Sequence, residues 1–186
     1  MRSLPNMTVL CPADAASARY AVKAAYENDG PFYVRLARLA TDSFYGEFGD
    51  PVDFKIGKAL QIKDGTDVTI IACGYMVEQA AEALSILEAE GISARLLDMH
   101  TIKPLDMDAV TRAIDEIGKI VTVEDHNIIN GLGTAVCEVV AELGRGKVKR
   151  IGIPDRFGES APYERLLAKN GITMENIAEQ ARRLLA

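Results

Sequence analysis

The sequence predicts an α/β protein: a mostly parallel sheet with helices on both faces, preceded by a partial α/β segment. Three observations lead there. Short β-branched runs alternate with helix-like stripes and are separated from them by Gly, Pro or Asp. The run DVTIIACG at 67–74 is almost continuously apolar, as a parallel strand covered on both faces must be. Strand–helix alternation of this kind closes into a parallel sheet through right-handed crossovers.

Taken in order, MTVLC at 7–11 reads as a strand, 14–29 as a helix and FYVRLA at 32–37 as a second strand, with Gly30-Pro31 as the break. A stretch of turn residues and aromatics without a clean period follows, and 41–54 reads as a linker. Beyond it Val77, Ala80, Ala81, Leu84 and Leu87 keep helical spacing, and Gly91 stands where a C-cap belongs. The next strand is 93–99, and Pro104 blocks its continuation. Asp106 is the expected N-cap of a helix that turns Ala109, Val110, Ala113, Ile114 and Ile117 inward and ends at Gly118. A strand at 119–125 precedes a stripe of Val136, Val139, Val140 and Leu143, closed by Gly144. The last strand is 148–154. Helices at 161–169 and 174–185 follow, with Thr173 capping the second.

One complete α/β domain is therefore expected at 55–186. The first 40 residues hold two strands and one helix, too little apolar surface to close a core. They are expected to lean on something else.

Composition excludes several classes. The net charge of −6 and the scattered Lys and Arg argue against nucleic acid, which needs clustered cations. The densest basic group, Arg145, Lys147, Lys149 and Arg150, reads as a solvated edge. No run reaches the roughly 18 apolar residues of a membrane helix, and the start has no apolar core of a secretion signal. The expectation is a cytoplasmic protein with no membrane contact. Cys11, Cys73 and Cys137 are far apart among apolar neighbours and read as buried thiols, not as metal ligands or a disulfide framework.

The most suggestive loop is VEDHNIINGLGTAV at 123–136. Gly131 and Gly133 precede a helix whose free N–H groups could hold an anion, but position 136 is Val where a dinucleotide fingerprint needs a third glycine. The alternative is that these glycines let helix and sheet approach closely. Glu124, Asp125 and His126 end a strand, where α/β proteins bind ligands, yet adjacent strand residues face opposite ways, so only alternate members can converge. Asp155, Arg156, Glu159 and Ser160 suggest an ion-paired turn ahead of a helix with Pro162 in its first turn. His100 reads as structural. Arg35 and Arg38 flank a strand end, a position from which arginine can grip phosphate. No catalytic or metal-binding residue set emerges from these patterns.

Read together, the same stretches resemble the transketolase family. RSLPNMTVLCPAD and GPFYVRLAR resemble the end of its pyrimidine-binding domain. GTDVTIIACGYMVEQAAEAL, GISARLLDMHTIKPLD, IVTVEDHNIINGLGTAV and IGIPDRFGESAPYERLLAKNGIT resemble its C-terminal domain, in the family's order. The resemblance implies that residues 1–40 are a remnant of the pyrimidine-binding domain and 55–186 the C-terminal domain. It implies the C-terminal part of a larger enzyme, as in transketolases split into two polypeptides. That enzyme would move a two-carbon ketol unit between sugar phosphates in the pentose phosphate pathway. Thiamine diphosphate and Mg would supply the chemistry and be held by the N-terminal portion or subunit, with none bound by this chain alone. For this chain the resemblance implies assembly into a homodimer, no catalytic residue and no activity by itself.

Arg38 matches the arginine that contacts substrate phosphate in the family, and Arg35 does not match. Asp125 stands where Glu is usual and Asn130 where Gly is usual, the latter tolerable because Asn accepts positive φ. Deoxyxylulose phosphate synthases resemble the chain in IPDRF but typically continue differently where it has GESAPYE. A C-terminal part of such an enzyme is one alternative. A stand-alone ligand-binding or regulatory module resting on the Gly131–Gly133 loop is another.

Overall fold

The computed structural model describes residues 1–38, 40–47 and 52–186. Part of the linker expected at 41–54, residues 48–51, therefore lies outside the described residues. β1 (Thr8–Leu10), α1 (Ala15–Glu27) and β2 (Phe32–Val34) come from the first 40 residues. Asp14 and Ser17 start α1 with a reciprocal capping box, which satisfies two N–H groups the helix would otherwise leave open. After β3 (Leu60–Lys63) come β4 (Val68–Ala72), α2 (Met76–Ala89), β5 (Ala94–Asp98) and β6 (Thr101–Lys103). The chain finishes with α3 (Met107–Glu116), β7 (Lys119–Asn127), α4 (Leu132–Leu143), β8 (Lys147–Ile153), α5 (Tyr163–Lys169) and α6 (Met174–Leu185).

The caps fall where local chemistry puts them. Asp106 accepts from the Ala109 N–H, Thr173 from Asn176, and Gly144 ends α4 in the left-handed conformation. Asn130 holds φ 63°, so the Asn at the usual glycine position keeps the turn. Pro162 is the N-cap of α5 and not a residue inside its first turn, a shift of one position.

The larger sheet runs β3-β5-β4-β7-β8, with β4, β5, β7 and β8 parallel and β3 antiparallel at one edge. Alternation along the strands builds two cores. Val68, Ile70, Leu96 and Val121 pack against α2 and against Ile177, Ala178 and Ala181 of α6. Ile71, Leu97 and Ile120 pack against α3 and α4 on the other face. Two strands were not foreseen. β3 has four residues and β6 three, too short to show a period of two over their turn-rich surroundings.

β6 decides where the first 40 residues lean. A second sheet runs β2-β1-β6, with β1 parallel to β2 and antiparallel to β6. Val9 and Cys11 add to one core of the larger domain and Ala13 to the other. The segment is fastened to the C-terminal domain along this seam.

Candidate functional site

The end of β7 carries the EDH trio, and the structure separates its members as the strand pleat requires. Glu124 is buried, and its carboxylate accepts the Leu132 and Gly133 N–H groups at 2.8 Å each. The anion at the N-terminus of α4 is thus the chain's own side chain. A Cβ on Gly131 would collide with that carboxylate. One on Gly133 would lie 2.8 Å from Thr122 Oγ1 and from the Arg150 side chain, so these glycines serve close approach. Burial pushes the Glu124 carboxyl up, while the two N–H donors pull it down. His126 Nδ1 is 3.8 Å from Glu124 and 2.8 Å from the Asn127 carbonyl oxygen. That spacing makes no acid–base pair.

Asp125 faces the other way and ties the seam. Its Oδ1 accepts from Arg35 Nη1 at 2.6 Å, its carbonyl from Arg35 Nη2 at 3.0 Å, and its Oδ2 from the Tyr163 hydroxyl at 2.8 Å. Burial disfavours the Arg35 charge, but the Asp125 hydrogen bond and charge outweigh it and leave Arg35 raised. Burial, then the Asp125 charge, pushes the Tyr163 hydroxyl upward. Arg35, whose strand-end position allowed a phosphate grip but which matches no substrate arginine in the family resemblance, is therefore a structural cation. Tyr163 was missed, because nothing near it in sequence points to Asp125.

Beyond this tie lies an open cleft of about 830 Å³, lined by Arg35, Arg38, Thr41, Tyr75, Ser160 and Tyr163 among others. Arg38 is exposed there and, among the described residues, forms no ion pair or hydrogen bond. The expected ion-paired turn at 155–160 does not form as one unit. Arg156 donates to the Asn170 side chain, Glu159 pairs with Lys169, and Asp155 accepts from Asn127.

His100 is structural. It is fully buried, stacked on Phe54 with centroids 3.9 Å apart, and its Nδ1 lies 3.0 Å from Thr101 Oγ1. A further clasp was invisible in sequence: Tyr45 donates its N–H to Asp14 and its hydroxyl to Asp98, both at 2.7 Å.

The residues present do not fit the diphosphate–metal group implied for the complete enzyme. The one glycine-flanked helix N-terminus singled out for an anion is filled by Glu124. Among the described residues no group of three His, Cys, Asp or Glu is placed to hold a metal. No helix of the described residues is long and apolar enough to cross a membrane.

Comparison with known proteins adds an independent line. Residues 57–177 match the family described as "Transketolase, C-terminal domain", and residues 1–42 match "Transketolase, pyrimidine binding domain". A Methanocaldococcus jannaschii protein described as a transketolase C-terminal section is 43% identical over 97% of this chain and 56% of its own length. A 1-deoxy-D-xylulose-5-phosphate synthase of Heliobacterium modesticaldum is 35% identical over 99% of this chain and 28% of its own length. A solved structure described as a split gene transketolase, inactive beta4 tetramer, superposes with a TM-score of 0.93 at 42% identity, covering 100% of this chain and 60% of that one. The chain thus spans little more than half the length of the first two of these transketolase relatives that it matches.

Proposed function

This chain belongs to the transketolase family, and on that premise we propose that it serves as the C-terminal section of a thiamine-diphosphate-dependent transketolase. In that role it supports assembly with an N-terminal portion or subunit and has no ketol transfer by itself. Residues 1–40 belong to the pyrimidine-binding domain, 41–54 form the linker and 55–186 the C-terminal domain. The complete enzyme holds thiamine diphosphate and Mg on the N-terminal part, acts on sugar phosphates of the pentose phosphate pathway in the cytoplasm, and assembles around a homodimer of this section. Open surface supports assembly: among the described residues β2 pairs only with β1, and Val22 and Tyr26 of α1 are 55% and 91% exposed.

One observation carries the site reading: Arg38, exposed and without an ion pair or hydrogen bond among the described residues, stands over the cleft at the seam. The cleft holds the hydroxyls of Thr41, Tyr75, Ser160 and Tyr163 and the carboxylates of Asp125, Glu159 and Glu164, the first two already paired with Arg35 and Lys169. The Arg38 guanidinium therefore suits the phosphate end of a sugar substrate, which it can grip bidentately. Mixing the chain with the N-terminal section is expected to restore ketol transfer. Arg38→Ala should then raise KM for phosphorylated sugars about tenfold or more, a loss of roughly 1.4 kcal/mol, with kcat little changed. An unchanged KM removes Arg38 from the site.

The likeness to deoxyxylulose phosphate synthases supports a second reading, the C-terminal part of such an enzyme. Steady-state assay of the reconstituted enzyme with pyruvate against ketose phosphate donors separates the two. A stand-alone ligand module loses its basis, since Glu124 occupies the loop on which it rested.

A further inference from the structure

Cys11 and Cys73 meet where the 1–40 segment joins the larger sheet. Cys11 follows β1 and Cys73 follows β4. The Gly74 N–H donates to the Cys11 carbonyl at 3.0 Å. A Cβ built on Gly74 would lie 2.8 Å from Cys11 Sγ, so this sulfur rests on the backbone beside Cys73. The neighbouring Cys11, with burial second, raises the Cys73 thiol well above its ordinary value.

Both cysteines are buried, yet both reach the wall of a cavity of about 160 Å³ that Arg35, His126 and Asn130 also line. His126 and Asn130 are exposed, which connects the cavity to solvent. Its volume holds several water-sized molecules, room enough for hydrogen peroxide. Arg35 Nη1 donates to Cys11 Sγ at 3.8 Å, a cation placed to stabilise negative charge on that sulfur as it attacks.

We propose that Cys11 and Cys73 are a dithiol that hydrogen peroxide oxidises to a disulfide across the seam. The Cys11 sulfur gives up its proton and attacks one peroxide oxygen. The O–O bond breaks, hydroxide leaves and takes that proton to become water, and Cys11 becomes a sulfenic acid. Cys73 then loses its proton and attacks the Cys11 sulfur. The S–O bond breaks, the departing hydroxide takes up the Cys73 proton, and the S–S bond forms. Two thiols are oxidised to one disulfide and one peroxide is reduced to two waters.

The test treats the reduced full chain with a small excess of hydrogen peroxide and reads free thiols and non-reduced peptide masses. Titratable thiols should fall from three to one, with the Cys11 and Cys73 peptides joined and two hydrogens lost. Cys137, half-buried and off the cavity wall, should stay reduced. Cys73→Ala should halt at a Cys11 sulfenic acid that dimedone captures, and Cys11→Ser should leave Cys73 reduced over the same period. The proposal is overturned if Cys137 oxidises first, or if Cys11 over-oxidises without a cross-link while circular dichroism stays native. The wild-type peptide map decides without any variant.

Discussion

Asp98 ends β5 fully buried, with one oxygen accepting from Tyr45 and the other without a partner among the described residues. Burial disfavours its charge, and repulsion from Asp14 adds to this while the Tyr45 hydroxyl opposes it, so its carboxyl is pushed up to about 7. Burial moves His100, two residues on, the other way, down to about 4. Above about pH 4 the unfolded chain releases a proton that folded Asp98 keeps, so this contribution to stability falls as pH rises toward 7. Below about pH 6.5 the unfolded chain binds a proton that folded His100 refuses, so that contribution falls as pH drops toward 4. The two trends oppose each other over nearly the same window. Asp98→Asn keeps an acceptor for Tyr45 and removes only the carboxyl. Its stability relative to the parent chain should rise between about pH 4 and 7, by about 2–4 kcal/mol in all. Denaturant unfolding of both chains at four pH values checks this. A difference that does not vary with pH would mean that Asp98 is ionised throughout.

At the scale of elements, α4 depends on the glycines that let it meet β7. Neither Gly131 nor Gly133 has positive φ, so an added Cβ acts through space and not through backbone strain. Gly131→Ala drives its Cβ into the Glu124 carboxylate and displaces the acceptor of two N–H groups. Gly133→Ala brings its Cβ to 2.8 Å from Arg150 Cγ and Cδ and from the buried Thr122 Oγ1, contacts that a shift of the exposed Arg150 chain relieves only in part. The expected losses are about 3 kcal/mol and about 1 kcal/mol, read as shifts in the unfolding midpoint. Equal losses would show that Glu124 is not what fills the space. Sequence reasoning reached the helices, their caps and the tight approach of α4, because those signals lie within a few residues of each other. Asp106, Thr173 and Gly144 are local in that sense. Glu124 as the capping anion was not legible, since it lies eight residues before its nearer partner and its direction depends on the strand pleat. β3 and β6 failed for length. Arg38 was singled out by resemblance to a family, whereas the cleft around it is built by residues on four separate stretches of chain.

For the whole molecule, the question is whether the 1–40 segment and the larger domain open as one unit. Their junction includes the short β1–β6 ladder, the Cys11 contacts, the Arg35–Asp125–Tyr163 tie, the Arg2–Glu138 ion pair and the Lys103 bonds to the Arg2 and Leu4 carbonyls. The five-stranded sheet has parallel ladders closed by helices on both faces, so it should outlast that junction. Asp125→Ala leaves the Arg35 cation, whose side chain is 28% exposed, without its partner. Partial exposure lets water screen that charge, so the expected loss is about 1–3 kcal/mol, below that of a fully buried pair. Amide exchange should place the loss at the seam: the amides of Leu10, Cys11 and Arg35 should exchange faster, with little change at Ile70, Ile71 and Val121. Arg38 lies three residues beyond Arg35, so seam opening also moves the cleft wall that carries it. The same variant, reconstituted, should therefore weaken binding of phosphorylated sugars even though Asp125 makes no contact with them. Uniform loss of protection across both sheets would instead mean one cooperative unit, and Arg38 would then be held by global stability and not by the tie.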